Sequence, residues 1–187
     1  MTQTTISTRT EAVERIVERI ANDLTLITDR SLALHAVDVE TAHARPAGEG
    51  GVHVSFKLGL ARPGEMHHGC LLVPLPEAIG LAGYMMMASD EDVRLWREDD
   101  TLSEAMKETM LEIANFVAGA ADAALRGLGW IDVKVGSEGC QGVRAGVRPA
   151  FPYVEGEELL VGRARMALHE FGEFEALLLV PSSVLAG

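Results

Sequence analysis

Glu112 and Asn115 stand three residues apart in this chain of 187 residues, and their pairing has the clearest chemical use in the sequence. On a helix, residues at i and i+3 project in nearly the same direction. A carboxylate and a carboxamide so placed can hold a partner's cation and orient a water molecule, because a carboxamide donates and accepts hydrogen bonds at once. The surrounding segment reads as a long helix over residues 102–128. Thr101 and Glu104 give it capping-box spacing, and Gly127 and Gly129 stop it.

Successive helical residues step about 100° around the axis. Leu102, Met106, Thr109, Ile113, Phe116, Val117, Ala120 and Ala124 then share one broad arc, which is the expected buried face. Glu104, Glu108, Glu112, Asn115, Gly119, Asp122 and Arg126 share another. Carboxylates repeated at i, i+4 and i+8 mildly destabilise a helix. Asn and Gly cost roughly 0.5–1 kcal/mol each relative to Ala in a helix interior. Neither belongs to the core arc, so packing does not account for them, and Gly119 lets another backbone approach closely. The bland alternative is a solvated acidic face that happens to include an Asn and a Gly.

Other groups say less. His67, His68 and Cys70 cluster in sequence without a recognised ligand spacing, and no metal site is expected. The remaining histidines are scattered. No P-loop, dinucleotide fingerprint or nucleophile elbow is present. Two cysteines far apart and without CxxC spacing argue against a disulfide framework or a structural zinc site.

The elements that must position the long helix follow from hydropathy patterning. Val13, Ile16, Val17, Ile20 and Leu24 mark one stripe of a first helix, with capping-box spacing at Thr8 and Glu11. Residues 31–45, 52–60 and 70–73 read as strands, the last closed by Pro74 and Pro76, with turns at 46–51 and 62–64. Residues 77–88 read as a second helix, and the acidic stretch 89–100 as its link to the long one. Strands are expected at 131–135, 159–168 and 174–180. The glycine-rich residues 136–146 read as a loop, and 170–173 as a hairpin turn. The sum is an α/β (α+β) fold, a mostly antiparallel sheet with helices packed on it, expected as one domain over residues 1–187.

Composition narrows the partners. Apolar residues make up 48% of the chain, which excludes a disordered polymer. The formal charge of −12 argues against nucleic acid and against an anionic membrane surface. Nine acidic residues fall between Asp90 and Glu112, opposed only by Arg94, Arg97 and Lys107. No apolar run approaches the roughly 20 residues of a membrane span, and the N-terminus lacks a signal-peptide apolar region. A cytoplasmic location is expected.

Residues 103–125 (SEAMKETMLEIANFVAGAADAAL) resemble the signature helix of the CheC/CheX/FliY family of response-regulator phosphatases. That helix carries Glu-x-x-Asn, then a small residue and an alanine-rich continuation, as in the stretch from Glu112 to Gly119. Residues 69–78 (GCLLVPLPEA) followed by Leu81-Ala82-Gly83 are similar to the strand and helix before it in the CheX branch, and residues 175–181 fit the closing strand. The likeness covers most of residues 52–184, with one Glu-x-x-Asn site, as in CheX.

The resemblance implies a phosphatase of a phosphorylated CheY-like response regulator. Glu112 would pair with the receiver's lysine, and Asn115 would hold the attacking water in line. Glu108, Gly119 and Asp122 would border the docked partner. The receiver would supply Mg²⁺, so no intrinsic cofactor is implied, and a homodimer is expected by the same analogy. Glu108 stands where the family usually has Asp or Ser. Residues 131–146 lack the family's usual proline. These two departures favour the alternative, a catalytically inactive CheC-like module that docks a receiver or motor-switch partner.

Overall fold

A computed structural model describes residues 3–99 and 102–186. Their order is α1 (Gln3–Thr28), β1 (Leu32–Ala42), β2 (His53–Arg62), β3 (Glu65–Pro74), α2 (Leu75–Met85), α3 (Asp90–Arg97), α4 (Glu104–Gly127), β4 (Lys134–Val143), β5 (Leu159–Leu168) and β6 (Glu173–Pro181), closed by a 3₁₀ turn at Ser182–Leu185. The fold is α+β. Six strands form one antiparallel sheet in the order β1-β5-β6-β3-β2-β4, so β1 and β4 are its edges.

Strand alternation sends one set of side chains to each face. Val54, Phe56, Leu58 and Leu60 of β2 and Leu178 and Val180 of β6 join the apolar stripes of α1, α2 and α4 in the main core. The opposite face carries a smaller cluster, including Cys70, Leu72, Val161 and Leu179, which Phe151 from the β4–β5 connection covers. Close packing at the helix face needs small residues at crossings. A Cβ at Gly162 of β5 would lie 2.6 Å from Val13 Cγ1 of α1, so α1 settles where that strand has no side chain.

The structure corrects several sequence readings. The stretch read as an acidic link contains α3. Its N-cap Ser89 accepts from Asp92 N, and Val93 is its one fully buried side chain, so its apolar signal is too sparse to register. Gly83 of α2 makes room for it, since a Cβ there would lie 2.8 Å from Val93 Cγ2 and 3.4 Å from Trp96. Ion pairs from Arg30 to Asp90 (3.1 Å), Arg94 to Glu170 and Arg97 to Glu77 tie α3 to its surroundings. β3 begins at Glu65, well before the apolar residues that signal it. Pro76 does not end that strand but sits in the first turn of α2, where its missing N–H costs nothing.

The predicted loop 136–146 is largely β4, which pairs with β2 from Ala61↔Lys134 to His53↔Val143. Its glycines hide the alternation that marks a strand. α1 extends upstream of Thr8 because no Gly or Pro stops it there. Thr101 lies outside the described residues. The N-cap of α4 is Ser103, whose side chain accepts from Met106 N at 3.2 Å. At the other end Gly129, at φ 89°, turns the chain out as expected. Among the described residues no helix is long and apolar enough to cross a membrane.

Candidate functional site

α4 is fixed first by its buried face. Met106, Met110, Ile113, Ala114, Val117 and Ala121 are each at most 6% exposed, and the helix packs against α1 and β4. Its far end is anchored through Asp122. Oδ1 accepts the backbone N–H of Val135 at 2.9 Å, and Oδ2 accepts from Arg126 Nε at 2.6 Å. Asp122, expected at the border of a docked partner, is therefore half-buried and already bonded within the chain.

Glu108, Glu112, Asn115 and Gly119 all lie on the exposed side of α4. Glu108, Glu112 and Asn115 make no side-chain hydrogen bond or ion pair with another described residue. A Cβ at Gly119 would meet nothing within 4 Å, so nothing in the chain itself demands a glycine there. The acidic stripe is neutralised at its ends. Lys107 Nζ lies 2.6 Å from Glu104 Oε1, and Arg126 pairs with Asp122. The uncompensated charge is thereby confined to Glu108 and Glu112, one turn apart, with Asn115 beside them.

One assignment on this helix changes. Phe116 is not buried but 40% exposed, because its position at about 40° from Glu112 lies on a flank that no described element fully covers. Leu111, not singled out from the sequence, is 48% exposed on the other side of the pair. Its Cδ2 lies 3.6 Å from where Gly139 of β4 would carry a Cβ. An apolar residue about 100° from Glu112, off the core arc, was the available signal. The arrangement is a carboxylate and a carboxamide, both free to bond outward, between two exposed apolar side chains.

His67, His68 and Cys70 do not converge. His67 faces Glu65 (3.2 Å) and Ser183 (3.4 Å), while His68 faces Glu138 at 2.9 Å. Cys70 is fully buried, and burial pushes its thiol up to about 12. Among the described residues, no group of three or more His, Cys, Asp or Glu side chains is arranged to hold a metal ion.

No family model and no curated protein sequence matches the chain. Solved structures do. Thermotoga maritima FliY is similar with a TM-score of 0.70 at 15% identity, over 99% of this chain and 93% of that one. A chain of the FliG–FliM complex from H. pylori has a TM-score of 0.65 at 10% identity, over 100% of both chains. The chemotaxis protein CheX from Desulfovibrio desulfuricans has a TM-score of 0.56 at 16% identity, over 90% and 97%. The chain has the CheC/CheX/FliY fold. At such identities the correspondence is one of fold. Within this CheC/CheX/FliY fold, α4 is the element that presents an unpaired Glu-x-x-Asn outward.

Proposed function

We propose that this chain belongs to the CheC/CheX/FliY phosphatases, is cytoplasmic, and hydrolyses the phosphoaspartate of a CheY-like receiver domain. The observation that carries the reading is the state of Glu112 and Asn115: adjacent on α4, exposed, and unbonded to any described residue. Exposed and bonded to no other described residue, both side chains keep their full hydrogen-bonding capacity for a partner and for water.

In this reading Glu112 pairs with the lysine beside the receiver's phosphoaspartate and registers the two proteins. Asn115 accepts from the attacking water through its carbonyl oxygen and donates to a phosphoryl oxygen through its amide. Water adds to phosphorus, the bond from phosphorus to the aspartyl oxygen breaks, and inorganic phosphate and a free carboxylate result. Positioning of this kind suits phosphoryl transfer, where orientation and electrostatics supply most of the acceleration. The receiver's own Mg²⁺ would neutralise charge on the transferred group.

The test is to mix the full chain with a phosphorylated receiver domain and follow phosphate release. Catalysed release that Asn115→Ala abolishes supports the reading. Identical, uncatalysed decay with wild type and variant across the organism's receivers overturns it. The second reading, a non-catalytic docking module, draws on Glu108 and on the full-length likeness to a chain of the FliG–FliM complex. It predicts binding without phosphate loss.

A further inference from the structure

We infer that Leu111 and Phe116 are the affinity-setting contacts of the α4 surface, and that the receiver meets them with apolar side chains flanking its lysine. This rests on the phosphatase reading above. On the helix wheel Leu111 lies at about −100° and Phe116 at about +40° from Glu112, with Asn115, Glu108 and Gly119 between them. The two exposed apolar residues therefore bracket the polar pair, at 48% and 40% exposure.

Three observations on this patch point to a protein partner. Unopposed charge is confined to Glu108 and Glu112, the stripe being neutralised on either side by Lys107 and Arg126, so the complementary surface is cationic at its centre. Gly119 leaves open space one turn beyond Asn115, where a partner can come close. Leu111 also rests against Gly139, which extends the surface from α4 onto β4. Polar groups at the centre set register and orientation, while apolar side chains that exclude water around them supply binding energy. Desolvation by the two apolar walls also strengthens the Glu112–lysine pair.

The experiment titrates the full chain against a receiver domain charged with beryllofluoride, a stable stand-in for its phosphoaspartate, and measures steady-state phosphate release in parallel. Leu111→Ala and Phe116→Ala should each raise the dissociation constant about tenfold. The loss should fall on the half-saturating concentration and not on turnover at saturation. Phe116→Leu should recover most of the affinity, and thermal melts should show each variant folded. Asn115→Ala should do the reverse, losing turnover while still binding. If the apolar variants bind like wild type, or lose turnover with unchanged affinity, while Asn115→Ala still abolishes hydrolysis, the inference falls and the phosphatase reading stands. If wild type neither binds the charged receiver nor releases phosphate, the underlying reading falls with it.

Discussion

Asp122 of α4 accepts the backbone N–H of Val135 at 2.9 Å, so the edge strand β4 hangs from the helix that carries Glu112 and Asn115. Removing that acceptor leaves a strand N–H unpaired and frees Arg126. Asp122→Ala should lower stability by about 1–2 kcal/mol and speed amide exchange in residues 134–137. Asp122→Asn keeps an acceptor and should cost less than half as much. Urea melts and hydrogen exchange on the three proteins check this. A residue that served docking alone would leave both readouts at wild-type values.

Gly119 separates stability from function. With open space at its Cβ, Gly119→Ala should stabilise α4 by about 0.5–1 kcal/mol. It should weaken receiver binding or turnover, because the added methyl group stands where a partner approaches. A melt and a phosphate-release assay on one variant measure both.

Gly83 and Val93 mark the seat of α3. Their contact leaves no room for a methyl group, and Val93 is fully buried with a stiff branched side chain. Gly83→Ala should destabilise by about 1 kcal/mol, the overpacking outweighing the gain in helix propensity. Adding Val93→Ala should give a smaller loss than the two single changes summed. A double-mutant cycle measures that coupling.

Asp90 gives the acid limb of stability a specific source. The hydrogen bond from Arg30 holds its carboxyl below the ordinary 3.8, with further help from the charge of Arg30 and from His169. A depressed folded-state pKa means the contribution is complete above about 3.8 and is lost as pH falls through the folded value. Asp90→Asn should therefore be less stable than wild type at neutral pH. The gap should close below pH 4 in pH-resolved melts.

Both thiols should be sluggish. Burial raises Cys70 to about 12 and also raises the half-buried Cys140. A disulfide reagent at pH 8 should modify Cys140 slowly and reach Cys70 only as the chain unfolds. Because the folded state keeps Cys70 protonated, its contribution to stability falls as pH rises above the ordinary 9.0.

The sequence made some elements plain and concealed others for physical reasons. α1, α4, β5 and β6 are buried along a full stripe or face, so their periodicity is strong. β4 is an edge strand with glycines at 136, 139 and 142 and mostly exposed or half-exposed side chains, so it carries almost no alternation. α3 is eight residues long and buries one valine against α2, and its ion pairs to Arg30 and Glu170 reach elements distant in sequence. The polar line of the candidate site was legible because it departs from what a core or a solvated face would choose. Its apolar borders were not. Whether Phe116 is covered depends on which flanks of α4 find neighbours, and a helix wheel holds no such information.

The two edge strands share a defect that the interior lacks. Register slips between Leu34 and Ala36 in β1, and opposite Phe56 and Leu58 in β4, while β2–β3, β3–β6 and β5–β6 pair without interruption. A bulge bends the strand and breaks its row of donors and acceptors. Neither rim of this open sheet is then a straight template for recruiting another chain into a growing fibril. At the β4 rim the bulge spans Gly139, beside the exposed Leu111 of α4, so the strand is broken where the helix surface meets it.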